Sequence, residues 1–165
     1  KNVGAFDNLD RTQAENDLFG NSTTDALHFD TIMADLLKNN ASKYSAFSDY
    51  NAQYASDYAS DVTNTDSLGN SSTYRQNMYN PMYYLLNYYD GYKTSTVAKY
   101  WRIRTGINQG DTALTTETNL ALALQSDSRV SSVDFATVWG QAHTTAERTG
   151  TSTANLISWI NDCLK

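Results

Sequence analysis

From residue 97 onward the local signals run strand, helix, strand, helix, and this order constrains the fold more than any other feature of the chain. VAKYWRIR (97–104) is rich in β-branched and aromatic residues and stops at Thr105 and Gly106, as a strand does. The loop INQGD follows, then a helix from Thr112 or Thr115 to Gln125 that carries Leu120, Ala121 and Leu124 on one face. VSSVDFATVW (130–139) reads as a second strand whose apolar members are Val133, Phe135 and Val138. STANLISWINDCLK (152–165) spaces Leu156, Ile157, Ile160, Cys163 and Leu164 as the packed face of a further helix. Strands joined through a helix run parallel with a right-handed crossover, so the fold class is α/β.

Before Gly91 the pattern is different. Residues 1–22 have no sustained period and read as an irregular arm. From Thr23 or Thr24, as N-cap, the residues Ala26, Phe29, Ile32, Met33, Leu36 and Leu37 recur at helical spacing until Asn39 and Asn40. This reading puts His28 inside a helix, beside Phe29, with no acid at a telling position, and assigns it a structural role. KYSAFSDYNAQYASDYASDV (43–62) predicts an amphipathic helix with an aromatic stripe of Tyr44, Phe47, Tyr54 and Tyr58 ending at Val62. VTNTDSLGNSST (62–73) is a loop by composition. Asn80 and Pro81 form a cap and first-turn pair for a helix carrying Met82, Tyr83, Leu85, Leu86 and Tyr89 as far as Asp90 and Gly91. The expected division is therefore a helical, tyrosine-rich region over 1–91 and a βαβα segment over 92–165. Twelve tyrosines, most of them between Tyr44 and Tyr100, exceed what a core needs, and tyrosine favours sites dry at one end and wet at the other.

Bulk properties exclude several function classes. A net charge of −6 with no basic cluster argues against a nucleic-acid partner. One cysteine, Cys163, rules out an internal disulfide and a multi-cysteine zinc site, and no cofactor or metal is expected. No apolar run approaches the roughly 20 residues that span a bilayer, so no membrane partner is expected and the chain reads as soluble. The first residues lack the layout of a secretory signal and carry no initiator methionine, which suits a fragment, a mature form or one piece of a cleaved polypeptide.

In a parallel sheet, chemistry gathers in the loops at the carboxyl ends of the strands. Asp111 lies in the loop after the first strand and His143 in the loop after the second, so neighbouring strands would set the two side by side. Each alone is an ordinary loop residue. Together they have the chain order of the last two members of a Ser-Asp-His triad, in which the carboxylate fixes the imidazole tautomer and the other ring nitrogen takes a proton from serine. No G-x-S-x-G occurs in the 165 residues, so a nucleophile would have to come from elsewhere.

The segments AFDNLDRTQAENDLFG, NPMYYLLNYYD, YWRIRTGINQGDTAL and VWGQAHTTAERTG, the last followed by NLISWI, resemble bacterial tannases of subtype B and related α/β-hydrolase esterases that act on phenolic acid esters. The resemblance implies the C-terminal part of an α/β-hydrolase sheet with an inserted, mainly helical lid region, and a serine esterase with Asp111 and His143 as catalytic acid and base. It implies as partner the N-terminal segment of the same precursor, carrying the serine, and as substrate a small aromatic ester. The compartment stays open between bacterial cytoplasm and export. Tannases grip galloyl hydroxyls with lysine and acidic side chains, one acid standing two residues beyond the catalytic aspartate. Ala113 occupies that place here, which leaves gallate, hydroxycinnamate and simple esters all open. Lys43, Asp49 and Asp57 are the lid residues that could make substrate contacts instead. Two other readings stand beside the esterase: a carbohydrate- or ligand-binding module using exposed tyrosines, and a hydrolase-like scaffold without activity.

Overall fold

A computed structural model describes residues 6–110 and 112–165. It divides into two compact units, one up to Asn80 and one from Pro81 onward. The first is helical: α1 (Ala14–Asp17), α2 (Thr31–Tyr44), α3 (Ala52–Asp61) and α4 (Ser72–Met78). Its core forms where α2 packs on α3, with Ala34, Leu37 and Tyr58 buried and Met33, Tyr44, Tyr50, Tyr54, Ala55 and Val62 against them. Tyrosine thus supplies much of the packing, as the stripe of Tyr54, Tyr58 and Val62 predicts. Phe47, expected on that stripe, is exposed, because residues 45–50 form a turn region between α2 and α3 rather than a helix.

Helix α2 starts seven residues after Thr24. The cause is long-range: the His28 amide donates to Asp61 Oδ2 (3.1 Å), and the Phe29 and Asp30 amides both donate to Asp7 Oδ2 (2.8 Å each). With those donors held in an extended segment, Asp30 becomes the N-cap, its carboxylate accepting from the Ile32 and Met33 amides. The helix also runs beyond Asn40, which departs from helical geometry (φ −120°, ψ 16°) while its side chain bonds back to the Leu36 carbonyl at 3.0 Å. Helix α4 lies partly in the stretch that composition reads as loop, and is nucleated by the Ser71 hydroxyl accepting from the Tyr74 amide.

The second unit has the element order α5 (Pro81–Leu85), β1 (Tyr100–Gly106), α6 (Leu114–Ser126), β2 (Ser132–Val138) and α7 (Ser152–Cys163). Strands β1 and β2 pair in parallel, with Tyr100 opposite Ser132 and Gly106 opposite Val138. The architecture is mixed α/β with a small parallel sheet. Successive side chains of a strand face opposite ways. Trp101, Ile103 and Val133 face a core built on Leu85, Ala123 and Leu124, where α5 and α6 pack. The other face carries Arg102, Arg104 and Asp134 as well as Ala136 and Val138, the last two buried with Ala146. Residues 81–91 contribute Met82, Leu85 and Leu86 to this core, which is why the compact unit begins at Pro81 although the sequence changes character at Gly91. Helix α7 leaves Leu156, Ile157, Ile160 and Leu164 largely exposed. No helix is long and apolar enough to cross a membrane among the described residues.

Candidate active site

The parallel register ends both strands at the same level, and the loops leaving them are laced together. The Ile107 amide donates to the Val138 carbonyl (3.0 Å), and the Asn108 amide donates to the Gln141 carbonyl (2.9 Å). Gly106 is needed at this level: a Cβ there would run into the carbonyl oxygens of Gln141 and Ala142. Gly140, at φ 74°, turns the chain out of β2. The result is one ridge of two loops, with residues 107–110 on one side and 139–146 on the other.

His143 sits on this ridge, exposed, at the rim of a cavity of about 120 Å³ lined also by Arg104, Gln109, Thr112 and Glu117. Asp111 lies outside the described residues. Thr112, the residue after it, is held by Gln109, whose side-chain oxygen accepts from the Thr112 amide (2.9 Å) and whose side-chain nitrogen donates to the Thr112 carbonyl. Glu117, one turn into α6, has a buried carboxylate oxygen with no hydrogen-bond partner among the described residues. Sequence reasoning passed over Glu117, because a glutamate in a helix's first turn is ordinarily solvated there.

Behind His143 the loop is pinned by charge. Arg102 Nη2 donates to both carboxylate oxygens of Glu147 (2.7 and 2.8 Å), and Asn155 Nδ2 on α7 donates to Glu147 Oε2 (3.0 Å). Arg104 meets Asp134 on the neighbouring strand at 2.5 Å. The Arg102 hydrogen bond, opposed by desolvation and aided by Asn155, holds the Glu147 carboxyl below the usual carboxylate range.

In the helical unit, Asp49 lines a cavity of about 660 Å³ walled by Met33, Leu37, Tyr44, Phe47, Tyr50 and Tyr54. Lys43, six positions before Asp49, is exposed without lining that cavity, and Asp57 faces Arg11 (3.9 Å) and Gln53 (2.8 Å). The structure therefore gathers Asp49 with the aromatic wall but not the other two lid candidates. His28 has the acid that the sequence did not reveal: its Nδ1 lies 2.7 Å from Asp7 Oδ1, with both side chains buried and the ring stacked on Tyr58 (centroids 3.6 Å apart). The two residues are 21 positions apart, so no local pattern could have paired them. Among the described residues there is no group of three or more His, Cys, Asp or Glu that could hold a metal ion.

No protein-family model matches the chain, and no curated protein matches it. Solved structures do. The tannase of Fusobacterium nucleatum superposes with a TM-score of 0.62 at 30% identity, over 98% of this chain and 27% of that one. A tannin acyl hydrolase from Lactobacillus plantarum, in its native structure, gives 0.57 at 29% identity over the same shares. The chain thus spans about a quarter (27%) of the length of the enzymes it matches. Likeness of this extent, on a mixed α/β architecture with a parallel sheet, relates the chain to bacterial tannase and esterase structures of the α/β-hydrolase kind, without fixing a subtype.

Proposed function

We propose that the chain supplies the acid and the base of a serine carboxylic-ester hydrolase acting on aromatic esters, whether of a phenolic acid such as gallate or of a hydroxycinnamate. The observation that carries this reading is the lacing of the two loops, Asn108 amide to Gln141 carbonyl, at the carboxyl ends of adjacent parallel strands, with Asp111 following in one loop and His143 in the other. The serine is assigned to another part of the same polypeptide or to a partner segment, since this chain has no nucleophile elbow. In the reaction, the serine hydroxyl attacks the ester carbonyl as His143 removes its proton. The tetrahedral intermediate collapses as His143 returns that proton to the leaving alcohol, and water repeats the cycle on the acyl-enzyme. Asp111 orients the imidazole and stabilises its cation. Of the tyrosine-rich region 1–91, the helical unit up to Asn80 is assigned to the lid, where flat aromatic faces and a carboxylate such as Asp49 suit a phenolic ring.

His143→Ala in the complete protein is expected to lower kcat toward phenolic methyl esters by about 10³-fold or more with the fold retained by circular dichroism. A several-fold loss would discard the assignment. Asp111→Asn should also cost heavily in kcat, with KM little changed, because the amide favours the wrong tautomer. The ligand-binding alternative draws on the aromatic cavity beside Asp49. A fluorophosphonate probe separates the two, because a hydrolase is labelled on its serine and a binding module is not.

A further inference from the structure

We propose that the ion pair between Arg102 and Glu147 is the positioning device for His143, a role that rests on reading His143 as the base. His143 lies in the exposed span 142–145, and both ends of that span are fixed. On the near side, Gln141 is tied to the Asn108 amide. On the far side, Ala146 is 1% exposed, packed on Ala136 and Val138, with its backbone held at φ 29°, a left-handed conformation that a residue with a Cβ adopts only under constraint. The next residue supplies the constraint. Glu147 turns its carboxylate under the sheet, where one guanidinium nitrogen of Arg102 bonds both of its oxygens, and Asn155 of α7 bonds Oε2 from a second direction.

The Arg102 and Glu147 side chains are only 12% and 10% exposed, so the pair lies in surroundings that screen it far less than open solvent. Loss of the Glu147 charge leaves Arg102 partly buried with Arg104 beside it and Asp134 3.6 Å from Arg102 Nε. The chain from Glu147 back to His143 is four residues long, so a shift at the carboxylate reaches the imidazole through a short tether. Arg102 belongs to β1, the strand that leads into the acid loop. One side chain thus references the base loop to the strand that carries the acid.

The test compares Glu147→Ala, Glu147→Gln and Arg102→Lys in the complete protein, with p-nitrophenyl acetate as substrate, a fluorophosphonate as serine probe and amide hydrogen exchange as an activity-free readout. Glu147→Ala is expected to lower kcat about 10- to 100-fold with KM within about twofold, the size of effect that a small misplacement of a reacting group produces. Labelling should slow by the same factor, and exchange at 142–146 should rise while β1 and β2 stay protected. Glu147→Gln, which keeps an acceptor for Arg102 and Asn155, should recover part of kcat. Arg102→Lys keeps the charge but loses the guanidinium's fixed geometry and should fall between the two, which keeps the test open if Glu147→Ala fails to fold. A turnover equal to the parent's in Glu147→Ala, or unchanged exchange at 142–146, overturns the proposal while leaving the esterase reading intact. A parent protein that neither turns over ester nor takes the probe overturns the esterase reading, and with it any base to be positioned.

Discussion

Asp7 ties together four segments of the helical unit. Its carboxylate accepts from Asn16 Nδ2 at 2.9 Å, from the Phe29 and Asp30 amides at 2.8 Å, and faces His28 Nδ1 at 2.7 Å, while its own carbonyl takes the Tyr58 hydroxyl at 2.8 Å. Desolvation alone would raise its pKa, but the hydrogen bonds from His28, Asp30, Phe29 and Asn16 outweigh it and lower the pKa from 3.8. Burial, and then the Asp7 charge, push the Tyr58 phenol upward, so it stays a donor throughout the working pH range. Because the folded pKa of Asp7 is depressed, its stabilising contribution is fully present above 3.8 and is lost as pH falls through the lower folded value. Asp7→Asn puts an amide donor against at least one buried donor, and is expected to cost about 2–4 kcal/mol in urea unfolding and to flatten the acid limb of stability. An unchanged acid limb would remove Asp7 from this role.

Strand β1 shows how an element can be legible while its use is not. VAKYWRIR announces a strand through its β-branched and aromatic residues, and the structure places β1 at Tyr100–Gly106, with its end at the expected Thr105 and Gly106. Its alternation of Arg102 and Arg104 with Trp101 and Ile103 reads equally well as a solvated face. Asp134 on the neighbouring strand and Glu147, arriving from 43 residues after Arg104, together turn that face into an ion-paired one. Gly106 is similar: a glycine after a strand is an ordinary stop signal, and its requirement for no side chain comes from Gln141 and Ala142. Gly106→Ala is expected to force the 139–146 loop outward and, on the proposed esterase reading, to lower kcat of the complete protein about 10-fold or more with β-sheet content retained in the far-ultraviolet spectrum. Wild-type kcat in that variant would mean the loop accommodates the methyl group without moving His143. The start of α2 makes the converse point. The periodicity of Ala26, Phe29 and Ile32 is genuine, yet the amides from His28 to Asp30 are taken by Asp61 and Asp7, and the helix waits for the Asp30 cap.

Across the whole molecule, each compact unit has its own core: tyrosine-rich around Tyr58 in one, aliphatic around Leu124 in the other. The chain's three tryptophans, Trp101, Trp139 and Trp159, all belong to the unit from Pro81 onward, and its two histidines are divided, His28 in the first unit and His143 in the second. In urea titrations of this chain, Asp7→Asn should lower the midpoint reported by the His28 ring resonance and leave the tryptophan emission midpoint unchanged. Equal shifts in both signals would show one cooperative unit. The parallel βαβ order, the helix α6 and the placement of His143 in the loop after the second strand were set by the sequence alone, because strand and helix periods and Gly breaks are local. The pairing of His28 with Asp7, the late start of α2, the allegiance of residues 81–91 to the sheet unit and the clamp of Arg102 on Glu147 were decided by tertiary structure. Each depends on a buried donor or charge finding its partner across 21 or more residues, or on an apolar face finding the surface that covers it, and neither choice is written in any local pattern.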